Sequence, residues 1–141
     1  MATADAVQCV VVTPERAVLD EAVDFVALPM YDGELGVLPG RAPLIGRLGY
    51  GELRTRRGGA VRRYYVDGGF AQVRNNVVSV LTGKAIPAEE VSPDAAKRLL
   101  QEALKPATGE ALETALKQQA RARAQLRVAQ HVGHGDAVPH P

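Results

Sequence analysis

Hydrophobic positions follow two different patterns along this chain. In the first 86 residues, short runs rich in valine are interrupted by glycine and proline, which is typical of strands joined by tight turns. Residues 7–12 are apolar on both faces, as expected of an inner strand, whereas residues 53–56 alternate, as expected of a strand with one solvated face. We expect about eight to ten short strands, the clearer ones at residues 6–12, 22–29, 43–48, 50–57, 60–66, 69–74 and 77–82.

The positions of glycine mark the same division. Eleven of the 14 glycines lie in residues 1–84. Gly58-Gly59 predicts one hairpin turn, and Asn75-Asn76 predicts another, because asparagine tolerates left-handed backbone angles. Short strands that end at regularly spaced turn signals indicate a sandwich or a barrel. We therefore predict a mainly β protein with an N-terminal antiparallel β-sandwich over residues 1–86.

From residue 87 the apolar residues recur at helical spacing. Ser92-Pro93-Asp94 is a strong helix start, since serine can cap, proline suits the first turn and aspartate complements the helix dipole. One helix is predicted over residues 93–104, with Ala96, Leu99, Leu100 and Leu104 on one side. A second, which Thr108 can cap, is predicted over residues 109–130, with one apolar face made of Leu112, Ala115, Leu116, Ala122, Leu126 and Ala129.

These two helices predict an antiparallel helical hairpin over residues 87–130. Neither helix can bury its apolar face alone, so the faces must meet each other, the sandwich or a partner. Residues 131–141 contain glycine, proline and histidine without periodicity, and we expect a disordered tail there.

Composition excludes several classes of protein. Lys plus Arg is 17 and Asp plus Glu is 16, so the chain lacks the basic footprint of a nucleic-acid binder. Residues 22–31 form the most apolar stretch, which is about half the length of a membrane span, and we expect no direct membrane insertion. No signal peptide is expected at the start of the chain either. The single cysteine, Cys9, lies in an apolar run and is predicted to be an inert packed thiol.

No residue pattern points to catalysis or to a metal site. All three histidines lie in the predicted tail, as His131, His134 and His140, where only weak metal binding is expected. The predicted sandwich contains no histidine, so no Ser-His-Asp or Cys-His arrangement is available there. Its glycine-rich turns are not followed by the helix start that a phosphate loop requires. We therefore predict no catalytic residue, no metal site and no cofactor.

Two groups of basic residues remain. Five arginines lie across one predicted hairpin and are expected to face acidic strands or an acidic partner: Arg54, Arg56, Arg57, Arg62 and Arg63. The second helix carries four more basic side chains, at Lys117, Arg121, Arg123 and Arg127. These form either a solvated helix face or an arm that docks onto an acidic protein surface, and the sequence leaves both possibilities open.

Two stretches carry a resemblance to a known family. Residues 32–44 are Asp-Gly-Glu-Leu-Gly-Val-Leu-Pro-Gly-Arg-Ala-Pro-Leu, and residues 65–73 are Tyr-Val-Asp-Gly-Gly-Phe-Ala-Gln-Val. Both resemble the epsilon subunit of F-type ATP synthase, and residues 10–15 and 124–128 fit the same family in the same order. The resemblance spans about residues 6–130 and implies a β-sandwich followed by a helical hairpin.

The resemblance also implies a function and a set of partners. Members of this family are non-catalytic rotor subunits of the central stalk, which couple the gamma subunit to the polar loops of the membrane c-ring during ATP synthesis by ion-driven rotation. The chain would then be a peripheral protein on the cytoplasmic face of the inner membrane. The residues that match the ring-and-stalk-facing end of the family are Glu34, Leu35, Gly36, Pro39, Gly40, Arg41, Ala42, Pro43 and Leu44. At Arg41, many members of the family have histidine.

The family's hairpin can fold onto the sandwich or extend along gamma toward the alpha and beta subunits, where it restrains ATP hydrolysis. A regulatory role for Lys117, Arg121, Arg123 and Arg127 follows from that resemblance. Some bacterial members bind ATP through Ile/Leu-Asp-x-x-Arg-Ala, but residues 91–96 here are Val-Ser-Pro-Asp-Ala-Ala, and we expect no tight ATP binding.

Two other interpretations compete with the rotor subunit. One is a free β-sandwich module that binds a small molecule or a sugar, against which the absence of tryptophan argues. The other is an enzyme on a barrel fold, against which the lack of a nucleophile–base pair argues.

Overall fold

The structure is a computed structural model that describes residues 6–131. Within them the chain forms eight strands, then a short 3₁₀ turn at Ala88–Glu90, then two helices. The strands are β1 Val7–Val12, β2 Ala17–Val23, β3 Phe25–Met30, β4 Gly33–Val37, β5 Leu44–Arg57, β6 Ala60–Arg74, β7 Val77–Leu81 and β8 Ala85–Pro87. The helices are α1 Pro93–Ala103 and α2 Gly109–Gln130. The predicted class, a β-sandwich followed by a helical hairpin, is confirmed.

Hydrogen bonding joins the strands in the order β2-β1-β7-β6-β5-β3-β4, with β8 added to β6. Strands β1 and β7 pair in parallel, which departs from the predicted all-antiparallel sandwich. The other pairs among the described strands are antiparallel. A parallel pair needs a long crossover, and the 64 residues between Val12 and Val77 supply it.

The long strands β5 and β6 bend together and give the fold its two layers. Their pairing skips one residue on each strand, Gly49 and Gly68, between the partners Leu48–Gly69 and Tyr50–Asp67. Both halves of the bent pair supply side chains to one core cluster, so the halves face each other across it. The sequence predicted four strands here, and the expected breaks coincide with the skipped glycines.

Gly69 allows β6 and β7 to approach each other at this bend. Its φ is +106°, and a Cβ atom there would lie 2.0 Å from the carbonyl oxygen of Leu81. Because that contact is with backbone, no side-chain rotation could relieve it.

Both hairpin turns marked by the sequence are confirmed. Gly58 has φ +59°, and Asn75 and Asn76 have φ of +51° and +61°. The prediction of one strand at residues 22–29 is wrong, because the chain breaks at Asp24, whose carboxylate accepts a hydrogen bond of 2.7 Å from the Gly58 amide. Strands β2 and β4 went unpredicted over most of their length. They form the two ends of the sheet, where fewer side chains are buried and the apolar pattern is weak.

The core between the layers consists mainly of valine and leucine. Val26, Leu28 and Leu53 are fully enclosed in it. Cys9 is fully buried in the same cluster, as predicted for a packed thiol. Burial, followed by the charges of Glu21 and Asp20, raises the pKa of the Cys9 thiol to about 12, so the group stays protonated at neutral pH.

The helix boundaries follow the sequence signals closely. The Ser92 hydroxyl accepts a hydrogen bond of 3.1 Å from the Ala95 amide, which confirms the predicted cap of α1. Helix α2 starts at Gly109 and ends at Gln130, as predicted. Thr108 occupies its N-cap position, but its side chain makes no capping hydrogen bond.

The face that α2 buries matches the predicted one only in part, because Ala122 is buried as predicted but the leucines of the first turns are not. Ala122, Ala124 and Val128 are buried, whereas Leu112 and Leu116 are 42% and 53% exposed. The helix contacts the bent part of β5 and β6 with its C-terminal half, so the leucines of its first turns lie beyond the sheet. In α1 the small residues Ala96 and Ala103 are buried, whereas Leu104, just after the end of the helix, is exposed; α1 packs against α2.

Candidate partner-binding surfaces

The loop at residues 38–43, which joins β4 to β5 and is here called the corner, is held in a fixed conformation. Gly40 has φ +86°, and its amide donates a hydrogen bond of 2.7 Å to Oδ1 of Asn76 on the β6–β7 turn. The Arg41 amide closes a turn onto the Leu38 carbonyl at 3.3 Å. Beside the corner is a shallow groove of about 330 Å³, lined by Phe25, Gly36, Leu38, Pro39, Gly40 and Arg41.

The structure does not gather all nine predicted interface residues into one surface. Leu35 and Leu44 are partly buried and pack against the core. Glu34 lies near the start of β4 and the corner follows its end, so about 13 Å of extended chain separates these ends. Glu34 also pairs with Arg54, at 3.2 Å and 3.4 Å. Of the other predicted residues, Pro39 is half-buried and the rest are exposed: Gly36, Gly40, Arg41, Ala42 and Pro43.

A further exposed surface, on the outer face of the sheet, was not predicted from the sequence. Four large apolar side chains lie on the outer face of the sheet and are 54–73% exposed; we call them the outer apolar row: Tyr31, Ile45, Phe70 and Leu81. Phe70 is the direct partner of Leu81 on β7 and of Arg47 on β5. The Arg47 guanidinium lies 4.5 Å from the centre of the Tyr31 ring and so links Tyr31, in the turn after β3, to the rest of the row.

This row had a signal in the sequence that went unused. Residues 70–73 and 77–81 include apolar residues at successive positions, so both faces of these strands carry apolar side chains. One face fills the core, and the other leaves Phe70 and Leu81 in solvent. Contiguous exposed apolar side chains of this size mark interaction surfaces in soluble proteins.

The arginines of the β5–β6 hairpin are matched mainly by glutamates of neighbouring strands. Arg57 and Arg62 both reach Glu21 of β2, at 3.5 Å and 3.2 Å. Arg63 pairs with Glu52 at 2.7 Å. The guanidinium of Arg56 instead lies over the Phe25 ring. The expectation that acidic strands would face these arginines is confirmed, and this ribbon is largely neutralised within the chain.

Glu52 joins the sandwich to the end of α2. Its carboxylate, which is 11% exposed, contacts Arg63, Arg54 and the Nδ1 atom of His131. A cleft of about 370 Å³ lies beside it, between α2 and the strands, and its polar lining includes Glu34, Arg54, Arg127 and His131. Residues 132–141, which include the rest of the predicted tail, lie outside the described residues.

The four basic residues of α2 do not form one face. Arg121 turns toward the sandwich, where its Nε lies 3.1 Å from Oδ1 of Asp67. Lys117, Arg123 and Arg127 are exposed. The partner of Arg121 could not be read from a local pattern, because Asp67 is 54 residues away in the chain.

The described residues hold no group of three or more His, Cys, Asp or Glu side chains that could bind a metal ion. Neither helix in residues 6–131 is long and apolar enough to cross a membrane. At the start of α1, Ser92 is engaged as a helix cap, and Ala95 stands where the ATP-binding motif has arginine.

Residues 6–88, more than half of the chain, match the family described as the β-sandwich domain of the ATP synthase delta/epsilon chain. The ATP synthase epsilon chain of Rhodopirellula baltica is 56% identical over 123 residues, which are 86% of this chain and 96% of the relative. The chain belongs to the family of ATP synthase epsilon chains. A further epsilon chain, from Solibacter usitatus, is 43% identical over 129 residues, 89% of this chain and 96% of the relative.

Two solved structures share the fold of this epsilon-family chain. A chain in the OSCP/F1/c-ring structure of the Euglena gracilis mitochondrial ATP synthase has a TM-score of 0.70 and 24% identity, covering 93% of this chain and 81% of its own length. A chain in the central stalk/c-ring structure of the Tetrahymena thermophila mitochondrial enzyme has a TM-score of 0.70 and 14% identity, covering 87% and 96%.

Membership of the epsilon family decides between the interpretations left open by the sequence. The chain is a central-stalk subunit of ATP synthase and not a free ligand-binding module. The resemblance first based on residues 32–44 and 65–73 is confirmed over most of the chain.

Proposed function

We propose that this subunit is a non-catalytic rotor part that joins the gamma subunit to the membrane c-ring, and that its outer apolar row is the surface bound by gamma. The observation that carries the proposal is the exposure of Ile45, Phe70 and Leu81 on a sheet with a densely filled core. A surface already fixed before binding loses little conformational entropy when it docks. Arg47, stacked on Tyr31, adds a positive charge beside the row.

The corner and the start of β4 are the parts we assign to the polar loops of the c-ring. The hydrogen bond from Gly40 to Asn76 and the ion pair of Glu34 with Arg54 fix both segments. Such rigid, exposed segments, with Arg41 and Glu34 as their charged side chains, suit a coupler that must transmit torque without bending. In this arrangement the subunit is peripheral, on the cytoplasmic face of the membrane, and works without metal, cofactor or catalytic residue.

The hairpin is the part we assign to restraint of ATP hydrolysis. Lys117, Arg123 and Arg127 are exposed in the folded hairpin and can attract an acidic segment of the alpha or beta subunits. Arg121 joins them only when α2 leaves the sandwich, because in the folded position it is paired with Asp67.

Co-elution with gamma on size-exclusion chromatography tests the main proposal. The wild-type chain is expected to form a one-to-one complex with the gamma subunit from the same source. Phe70→Asp should weaken that complex by about 30-fold or more, because it places a charge at the centre of the row. Leu116→Asp is the matched control, since Leu116 is equally exposed but lies on α2. Separate elution of the folded wild-type proteins would contradict the proposal.

A second experiment tests the role of the hairpin. A chain that ends after Glu90 keeps β8 and the 3₁₀ turn but lacks both helices. In a reconstituted ATP synthase, this truncation is expected to raise ATP hydrolysis relative to the full-length subunit. Unchanged hydrolysis, with the truncated subunit present in the complex, would refute the restraint.

A further inference from the structure

The hairpin is held to the sandwich by a small apolar contact, here called the helix seam. Its buried residues are Tyr65, Ala88, Val91, Ala124 and Val128. Among those described residues, α2 supplies one alanine and one valine, and the partly buried Ala129 adds a methyl group. Alanine removes little apolar surface from water, so the seam alone provides modest stabilisation. Polar contacts must therefore contribute much of the force that keeps α2 in place.

One polar contact at the seam is unusually well built. Arg121 Nε donates to Oδ1 of Asp67 at 3.1 Å, and the two side chains are 32% and 13% exposed. The guanidinium of Arg121 also lies 4.9 Å from the centre of the Tyr50 ring. An ion pair shielded to this degree is screened less by solvent than one on the open surface.

Asp67 is also held by residues of the sandwich. The Tyr65 hydroxyl donates to the same Oδ1 atom at 2.5 Å. The Asp67 amide is anchored by the Thr82 hydroxyl and the Lys84 carbonyl, both at 3.2 Å. Burial first, and then the bond to Asp67, raise the pKa of Tyr65, which keeps the phenol protonated as a donor. The sheet therefore presents a preformed acceptor to the helix.

We propose that Asp67 and Arg121 form a lock that controls how often the hairpin leaves the sandwich. With the lock closed, α2 lies across β5 and β6. When it opens, Arg121 loses its contacts with the Asp67 carboxylate and with the Tyr50 ring together. A partly lifted helix therefore keeps neither contact. The inference concerns the free chain, and it does not depend on the proposed binding of gamma.

The contact at the far end of α2 is a weaker candidate for this role. When His131 leaves Glu52, that carboxylate keeps two guanidinium partners, Arg63 and Arg54. His131 is also more exposed than Arg121, at 47%. Loss of the His131 contact therefore leaves no uncompensated group in the sandwich. When α2 leaves, Asp67 keeps the Tyr65 hydroxyl but loses its guanidinium partner Arg121, so the pair of Asp67 and Arg121 dominates the release.

Thiol labelling of the full chain can separate release of the hairpin from unfolding. Ala124 lies on the face of α2 that packs against the sandwich and is 1% exposed, so Ala124→Cys places a thiol that reagents reach only when the helix lifts. Cys9 lies in the sandwich core, fully buried, and reports global unfolding in the same molecule. The two labelling rates are measured with a maleimide in Ala124→Cys alone and together with Arg121→Gln or Asp67→Asn.

The lock predicts that Arg121→Gln speeds labelling at position 124 by about tenfold, since hydrogen bonds to charged groups are worth about 1.5 kcal/mol or more. Cys9 labelling should stay unchanged. Asp67→Asn should give a similar increase, and the double variant should add little to either single one. Arg123→Gln is the matched control, because Arg123 bonds to Gln119 on the same helix and is exposed.

Three results would overturn the lock. An unchanged rate at position 124 in Arg121→Gln would show that the seam alone holds the helix. An equal increase at position 124 and at Cys9 would show a general loss of stability. An increase of the same size in Arg123→Gln would show that any change of charge on α2 suffices. None of these results bears on whether gamma binds.

Discussion

Two apolar clusters hold this molecule together, and they differ in the number of buried residues and in the size of the side chains that α2 supplies. Within residues 6–131, the main core cluster contains 16 buried residues, most of them valine or leucine. The helix seam has five, and α2 provides only Ala124 and Val128 among them. The core is fixed by shape and volume, whereas the seam depends on small side chains and on polar pairs.

This difference assigns distinct mechanical properties to the two regions. Filled cores are close-packed and resist deformation, which suits a base that transmits torque. Local openings occur where few apolar contacts hold a segment, which suits an arm that must change position. The first and largest expected effects therefore fall in the core, and the smaller ones fall in the hairpin.

Leu53→Ala should cause the largest loss. Leu53 is fully buried in the main core cluster, so the change leaves a cavity there and should lower the free energy of unfolding by about 2–5 kcal/mol. Urea unfolding of the full chain measures this loss. A loss below about 1 kcal/mol would mean that the core is less closely packed than the comparison requires.

Val128→Ala should act on the seam alone. The change removes buried apolar surface worth about 1.5 kcal/mol. It should lower the free energy needed to release the hairpin by that amount and so raise the population of the released form. Hydrogen exchange of the α2 amides measures the release, and Cys9 labelling should remain unchanged. Equal effects on both probes would show that the hairpin and the sandwich unfold together.

Cys9 makes the stability of the folded chain depend on pH in the alkaline range. Its folded pKa of about 12 lies above the ordinary value of 9.0, so above pH 9 the unfolded chain releases a proton that the folded chain keeps. The resulting stability is complete below pH 9 and is lost as the pH rises toward 12. Between pH 8 and pH 10, the free energy of unfolding of the wild type should fall by about 1.4 kcal/mol more than that of Cys9→Ala.

Urea unfolding at several pH values measures this difference in slope. Tyr65, whose pKa is also raised, is present in both proteins and therefore cancels in the comparison. Parallel pH profiles for wild type and Cys9→Ala would contradict the assignment.

Ser92→Ala should have the smallest effect, confined to α1. Loss of the bond from the Ala95 amide to the Ser92 hydroxyl should cost about 1 kcal/mol of local helix stability. Faster exchange of the first α1 amides, with unchanged exchange in β5 and β6, is the expected result. A comparable change in the strands would show that α1 supports the sandwich.

The same contrast explains which features the sequence could predict. Local signals determined the helix boundaries and both hairpin turns, because Ser92, Gly58 and Asn75-Asn76 act through their own backbone neighbours. The edge strands β2 and β4 were largely missed, since an edge strand leaves many side chains in solvent and its periodicity is weak.

Features that depend on distant contacts could not be predicted. Helical spacing grouped Leu112 and Leu116 with the buried face of α2, but where the helix meets the sheet is set by tertiary packing that spacing does not encode. The same holds for the pairing of Arg121 with Asp67. The corner was marked by its family motif, whereas the outer apolar row had only the weaker signal of successive apolar residues and was located by the cross-strand register of Phe70 and Leu81.

Native-state hydrogen exchange on the full chain, followed in increasing urea, tests the central claim most directly. A two-helix hairpin lifted from the sheet has little to stabilise it and should fray. The account predicts that the α2 amides near Ala122 exchange through an opening of lower free energy than those of β5 and β6, with a smaller dependence on urea. If the amides of α2 and of both strands exchange at the same free energy and urea dependence, the hairpin is part of the rigid body and the account is wrong.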